Sequence, residues 1–165
     1  MAYDVQIQRL DLSAVIDLQG EAEAIAEWVK GDLPTFPQTP NTSSANDRHT
    51  IYWIAPERWL LRSAIEREDE LLEMTEPGRA PVDISIVQVS DTLKFFQIVG
   101  ADAGEIVSTA CPLDHHISVF PENGVSYTTI FGIKGLLIRV RDGFEIAVES
   151  SFADMIMDYL QRANA

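Results

Sequence analysis

The sequence predicts an α+β fold, two β-α-β-β-α-like halves with mostly antiparallel sheet. Three observations lead there. Apolar runs of strand length come in pairs across short turns, at 51–54 with 59–61 and at 136–140 with 144–148. Helical stripes follow these pairs instead of alternating with single strands, which argues against a doubly wound parallel sheet. The plan also recurs. Leu18-Gln19-Gly20-Glu21-Ala22-Glu23-Ala24-Ile25 parallels Val99-Gly100-Ala101-Asp102-Ala103-Gly104-Glu105-Ile106, each an apolar strand end, a glycine and an acidic helix start. The expected division is an N-terminal half at 1–80, with a proline-rich loop at 32–48, and a C-terminal half at 81–165. The second half carries the run CPLDHH and a closing helix.

Residues 1–12 alternate loosely through Val5, Ile7, Leu10 and Leu12, as an edge strand or a docking arm would. Residues 14–18 read as a strand ending at Gly20. From 21 to 30, Ala22, Ile25, Ala26 and Val29 lie on one stripe at helical spacing. Glu21 and Glu23 sit in its first turn, where the helix dipole favours acid, and Lys30-Gly31 marks its end. The loop 32–48 holds Pro34, Pro37 and Pro40, then Asn41-Thr42-Ser43-Ser44. It offers few residues to bury and is expected to be mobile or pinned by a partner.

A hairpin follows, 51–54 and 59–61 about the turn Ala55-Pro56-Glu57-Arg58. The charged helix 65–74 has Leu71, Leu72 and Met74 as apolar contacts and is broken by Pro77-Gly78. Residues 82–89 alternate as a strand whose phase slips near Ile86-Val87, the mark of a bulge. Strands at 125–131, 136–140 and 144–148 come next, the last two joined by Arg141-Asp142-Gly143. Phe152, Met155, Ile156, Tyr159, Leu160 and Ala163 then form the stripe of a closing helix, a lid on the core. Ser151 and Asp154 before it are spaced as in a capping box.

At 165 residues the chain makes one domain or two small halves sharing a core. Net charge is −14, from 12 Lys+Arg against 26 Asp+Glu, and the acid is spread through both halves. Nucleic acid and anionic membranes are disfavoured as partners by repulsion. The acidity is either a solvated surface or a face matched to a basic partner. No apolar run reaches the roughly 18–20 residues of a membrane span. No basic segment followed by an apolar one opens the sequence, so no secretory signal is expected. The single cysteine makes no internal disulfide, and a cytoplasmic location is expected.

The organising stretch is 93–120, LKFFQIVGADAGEIVSTACPLDHHISVF. An apolar strand turns at Gly100 into a short helix, which stops at Cys111-Pro112 because proline lacks the amide a helix interior needs. Cys111, Asp114, His115 and His116 are candidate metal ligands. Adjacent histidines do not easily reach one ion together with Cys111, and the remaining histidine, His49, is remote in sequence. Cys111 with a histidine is a candidate nucleophile, but it ends a helix, where the dipole raises a thiol pKa. The simpler reading makes Cys111 a small buried residue and Leu113 a core plug. Gly100-Ala101-Asp102-Ala103-Gly104 is not G-x-G-x-x-G, Asp102 repels a pyrophosphate, and there is no P-loop lysine. Trp53 and Trp59 flank a turn, either to stack a ligand ring or as a cross-strand pair. Catalytic, cofactor and metal residues are therefore expected to be absent from this chain.

S-T-A-C-P-L-D-x-H…V-F-P from Ser108 to Pro121, W-I-A-P-E-R-W-L-L from Trp53 to Leu61, and F-E-I-A-V-E-S-S-F-A-D from Phe144 to Asp154 resemble the gamma subunit of heterotetrameric sarcosine oxidase. The family commonly has C-P-L-D-L-H-P; here His115 replaces that leucine and Ile117 that proline. The resemblance implies a reduced form of the folate-binding fold of the glycine-cleavage T-protein. It also implies a non-catalytic role within a flavoenzyme that oxidatively demethylates sarcosine or a related N-methyl amino acid. FAD, FMN, NAD, tetrahydrofolate and zinc are then expected on the other subunits. The implied partners are the alpha, beta and delta subunits, alpha most directly. The expected contact surface is Leu113, Asp114, His116, Ile117, Val119 and Phe120 with the loop 32–46, unless the apolar members face the core. The alternative is a stand-alone folate-binding or methyl-transfer domain, with Trp53, Trp59, Asp83 and Asp114 as pterin contacts.

Overall fold

Two five-stranded antiparallel sheets, each backed by two helices, make up the computed structural model, which describes residues 3–165. Along the chain run β1 (Gln6–Arg9), β2 (Ser13–Gln19), α1 (Ala22–Trp28), β3 (Ser43–Ala45), β4 (His49–Ala55), β5 (Arg58–Ala64) and α2 (Glu68–Thr75). Then come β6 (Ser85–Gln88), β7 (Leu93–Val99), α3 (Ala103–Ala110), β8 (Val125–Ile130), β9 (Ile133–Val140), β10 (Gly143–Glu149) and α4 (Ala153–Ala163).

The strand orders are β6-β2-β5-β4-β3 and β1-β7-β10-β9-β8, the same plan twice. The repeat seen in the sequence is thus a repeat of topology. Each repeat also has a leading strand, and the leading strands are exchanged. β1 pairs with β7, Gln6 opposite Val99, while β6 pairs with β2, Ile16 opposite Gln88. Consequently Leu12–Ser90 is one unit, and the residues up to Asp11 join Asp91–Ala165 in the other. The division lies at 90/91 where 80/81 was expected, because β6 is held by the sheet that precedes it.

Each exchange is seated on a glycine. Gly20 and Gly100 adopt φ of 135° and 137°, a region open to glycine and strained for other residues. Their N–H groups donate to the carbonyls of Glu57 (2.9 Å) and Asp142 (3.1 Å) in the following hairpins. A Cβ on Gly100 would stand 2.2 Å from the Asp4 carbonyl oxygen, and one on Gly20 3.0 Å from that of Asp83. Both contacts fall where the chain enters the exchanged strand.

In the C-terminal unit, Ile106, Val107, Ala110, Ile156 and Leu160 pack on Phe96, Ile98, Ile146 and Val148. In the Leu12–Ser90 unit, Ile25, Leu71 and Met74 pack on Ile16, Leu18, Ile51 and Leu61. Each fully buried isoleucine, leucine, valine or phenylalanine among them contributes about 1.5–3 kcal/mol.

Several local expectations change. The α1 stripe includes Ile25 but not Ala26, which is exposed; the helix stops at Trp28, whose indole N–H donates to the Thr75 carbonyl (2.8 Å). The loop 32–48 is held by its own chain. Pro34, Phe36 and Pro37 are buried, it contains β3, and the Asn46 side-chain amide donates to the Asp32 carbonyl (2.9 Å). The strand expected at 82–89 begins only at Ser85, leaving Val82 fully exposed, and β6 pairs without a slip. The register shift lies in β4, between Trp53 and Ala55. The capping box is not formed. The Ser151 hydroxyl donates to the Glu149 carboxylate (3.0 Å), and Asp154 pairs with Arg9 of β1 (2.5 Å).

These contacts predict different costs for adding the same methyl group. Gly100→Ala is expected to destabilise by more than about 3 kcal/mol, since strain and a backbone clash act together. Gly132→Ala, at φ 82° with nothing within 4 Å of the new Cβ, costs about 1 kcal/mol. Urea unfolding of the two variants measures the difference.

Candidate functional site

The Cys111–His116 run begins where α3 ends. Pro112 has no amide to continue the helix, so Cys111 closes it, its N–H on the Val107 carbonyl (2.9 Å), and turns extended at φ −136°, ψ 130°. The chain then folds through short-range bonds. The Asp114 carboxylate accepts the His116 N–H (2.9 Å), and the His116 carbonyl accepts the N–H groups of Val119 (3.0 Å) and Phe120 (2.8 Å).

Beneath the run stands Arg139 of β9. Its Nε donates to the Phe120 carbonyl (3.0 Å) and its Nη2 to the His115 carbonyl. Its Cζ lies 4.7 Å from the Phe144 ring centroid and 5.5 Å from that of Phe120. A guanidinium over two ring faces gains cation–π attraction, on the order of 0.5–2 kcal/mol per contact. The His115 ring meets Phe144 edge-on, at 5.1 Å and 87°. Partial burial lowers the Arg139 pKa, with the Glu122 carboxylate opposing; the group stays cationic at neutral pH.

Around this cluster opens a cleft of about 1490 Å³, within the C-terminal unit. The start of α3 from Gly100 to Gly104, the run from Cys111 to Ile117 and the hairpin from Arg139 to Phe144 line it. The His115 ring lies beside Gly104, where a Cβ would meet its Nε2 at 3.4 Å, an ordinary van der Waals contact.

The structure separates most of the candidates. Cys111 is buried, and its Sγ lies 3.8 Å from the Thr128 hydroxyl. His115 and His116 diverge, the first to Phe144 and the second to the Ser118 hydroxyl (2.8 Å). Among the described residues, no three His, Cys, Asp or Glu side chains come together to hold a metal ion. Of the expected contact surface, Asp114, His116, Ile117 and Val119 are exposed and Leu113 is half-buried. Phe120 is buried under Arg139 and belongs to the core, which removes it from that surface. Trp53 and Trp59 form a cross-strand pair with ring centroids 4.7 Å apart, Trp59 buried. Asp83 precedes β6 in the Leu12–Ser90 unit, whereas Asp114 belongs to the C-terminal unit. The sequence reading missed Arg139. Its signal was one cation inside the apolar strand GLLIRV, directly across the hairpin from Phe144.

A smaller cleft of about 380 Å³ in the Leu12–Ser90 unit borders His49. The His49 Nδ1 meets the Ser63 hydroxyl, which itself donates to the Arg48 carbonyl (3.2 Å), so the Nδ1 proton is assigned toward Ser63. Burial lowers the His49 pKa, with the Glu70 carboxylate opposing. Glu70 in turn is held by Arg67 (2.7 Å) and Arg48 (3.2 Å).

Residues 20–165 match the model of the sarcosine oxidase gamma subunit family. Among solved structures the chain is similar to the heterotetrameric sarcosine oxidase from Corynebacterium sp. U-96 in complex with pyrrole 2-carboxylate. The TM-score is 0.81 at 19% identity, over 98% of this chain and 86% of that one. It is also similar to the glycine cleavage system aminomethyltransferase T from Bartonella henselae, with a TM-score of 0.71 at 14% identity, over 96% of this chain and 46% of that one. A comparison with curated proteins gives no match. The α+β fold and its likeness to the T-protein are as expected from the sequence. Among the described residues no helix is long and apolar enough to cross a membrane.

The His49 environment predicts a pH dependence. A histidine whose folded pKa is depressed contributes stability at pH above its ordinary value of 6.5 and loses it as the pH falls through that value, because the unfolded chain protonates first. Urea unfolding of the wild type is expected to weaken on acidification below 6.5, and His49→Gln to show a shallower decline over the same range.

Proposed function

The chain belongs to the sarcosine oxidase gamma subunit family, and on that ground we propose that it is the non-catalytic gamma subunit of a heterotetrameric, sarcosine-oxidase-like flavoenzyme in the cytoplasm. The complex oxidatively demethylates sarcosine or a related N-methyl amino acid and acts on its CH–NH group. FAD, FMN, NAD, tetrahydrofolate and zinc are assigned to the other subunits, and this chain packs against alpha most directly, with beta and delta completing the tetramer. The observation that carries the proposal is the family match over residues 20–165.

The site chemistry supports a structural role. Cys111 faces a threonine hydroxyl instead of an imidazole, and the Arg139 guanidinium is engaged by main-chain carbonyls and ring faces. The proposed contact surface is Leu113, Asp114, His116, Ile117 and Val119. Ile117 and Val119 are 53% and 61% exposed, an apolar pair that water solvates poorly and a partner would cover.

Native mass spectrometry of the tagged chain, purified gently from its own cells, tests the assignment. A flavin-containing complex with three other chains is expected; a lone, colourless chain that gives heat with tetrahydrofolate overturns it in favour of a folate-binding domain. Ile117→Asp is expected to lower recovery of the complex by about tenfold, as an unpaired charge at a buried contact does. Because Ile117 is exposed in the free chain, its melting temperature stays at the wild-type value.

A further inference from the structure

The two repeats supply an internal comparison. Register places Phe144 opposite Ile98 and Arg139 in the C-terminal unit, and Trp59 opposite Leu18 and Trp53 in the other, so Arg139 and Phe144 correspond to Trp53 and Trp59. The third members correspond as well: His115 stands edge-on to Phe144 at 5.1 Å, and Phe36 edge-on to Trp59 at 5.0 Å. Yet the connectors that carry them behave differently. The one after α1 buries Pro34, Phe36 and Pro37, filling its site with a stretch of chain. The one after α3 buries no residue from 112 to 119, and the large cleft opens there.

Electrostatics points the same way. Arg58 has Asp17 at 2.6 Å and Arg162 has Asp158 at 2.8 Å. Among the described residues Arg139 bonds to neutral carbonyls and ring faces and to no carboxylate within ion-pair reach; Asp114, Glu122 and Asp142 also line the cleft, and Glu122 acts on the guanidinium only through space. A cation partly withdrawn from water with no carboxylate bonded to it is costly, and an anion that bonds to it directly offsets part of that cost. The cleft, at about 1490 Å³, also exceeds the roughly 300–1,000 Å³ typical of small-ligand pockets.

We propose that this cleft is the seat of an extended segment of a partner subunit, which lies over the Cys111–Ile117 run as the Pro34–Pro37 stretch lies over its own unit, and which presents a carboxylate to Arg139. The inference rests on the gamma-subunit assignment and deepens it: it names the groove, the anchoring residue and the chemistry of the occupant. Recognition is a desolvated carboxylate–guanidinium pair, with the faces of Phe120 and Phe144 keeping the fork in place.

The test uses the full chain co-expressed with its complex. Ser108 is exposed on α3 and lines the cleft, so Ser108→Trp fills the groove from a position that the fold leaves open. The expected result is at least about a tenfold loss of assembly with an unchanged melting temperature of the free chain. Arg139→Gln is expected to lose about tenfold in assembly, and Arg139→Lys to recover part of it by restoring the charge. Independently of any variant, amide exchange around 111–117 and 140–143 slows in the assembled complex relative to the free chain. If the wild-type chain joins no complex, the subunit assignment fails and this inference with it. If the wild type assembles, Ser108→Trp assembles equally well and exchange at 111–117 is unchanged, the assignment stands and the groove proposal is overturned. Normal assembly of Arg139→Gln overturns the carboxylate. Normal assembly of Ser108→Trp, with acetate stabilising the free chain in an Arg139-dependent way, shows a free carboxylate as the occupant and overturns the partner segment.

Discussion

The close approach of a peptide carbonyl to a glycine holds this fold together twice. At Gly100 the Asp4 carbonyl occupies the space where a side chain would begin, and at Gly20 the Asp83 carbonyl does the same. Because neither glycine carries a Cβ, the entering chain lies flush against the end of the neighbouring strand and continues into β1 or β6 in register. The positive φ at the same residues turns the chain from strand to helix and points the amide at the facing hairpin. One residue type at two positions therefore sets strand end, helix start and sheet edge together. The helices α1 and α3 are placed by that turn, and the loops that follow them inherit their starting points.

From this frame the two repeats diverge in chemistry at corresponding positions. An aromatic trio, Phe36, Trp53 and Trp59, occupies one; His115, Arg139 and Phe144 occupy the other, with ring and guanidinium spacings that are nearly the same. Replacing an indole by a guanidinium keeps a flat group over an aromatic face but brings a permanent charge into a half-buried place. The main-chain carbonyls of His115 and Phe120 orient that charge without neutralising it. The run Cys111–His116 is organised by this cation, and its own titratable side chains diverge from one another. A hexapeptide rich in chemically capable residues is thus shaped by an arginine more than twenty residues downstream.

Much of the architecture was legible because apolar spacing and turn residues speak locally. The hairpins at Pro56-Glu57 and Arg141-Asp142, the stop at Pro112 and the stripe through Ile156 and Leu160 all rest on neighbours within a few residues. The strand exchange was not legible, since the pairing of Gln6 with Val99 depends on partners far apart in the chain and leaves no mark in either strand. The loop at 32–48 misled because its composition is that of a turn-rich segment, while burying Phe36 with Pro34 and Pro37 suffices to pin it to its own unit. The same applied to the site. The CPLDHH run was found by residue type, but its geometry is fixed by Arg139, which one sequence alone shows only as a cation in an apolar strand. Phe120 reads as surface beside Ile117 and Val119, yet two hydrogen bonds from the His116 turn swing it inward.

Exchanging the leading strands also sets the order in which the chain can be completed during synthesis. The Leu12–Ser90 unit closes once β6 has emerged, directly after the strands it joins. β1 is made before any of them and waits for β7, on the far side of a long loop whose closure entropy must be met before the pairing is rewarded. Meanwhile β1 is a free strand, and β7, once made, is an open edge. Either is available to the same element of a second nascent chain, which makes reciprocal swapping between copies the characteristic misassembly of this topology.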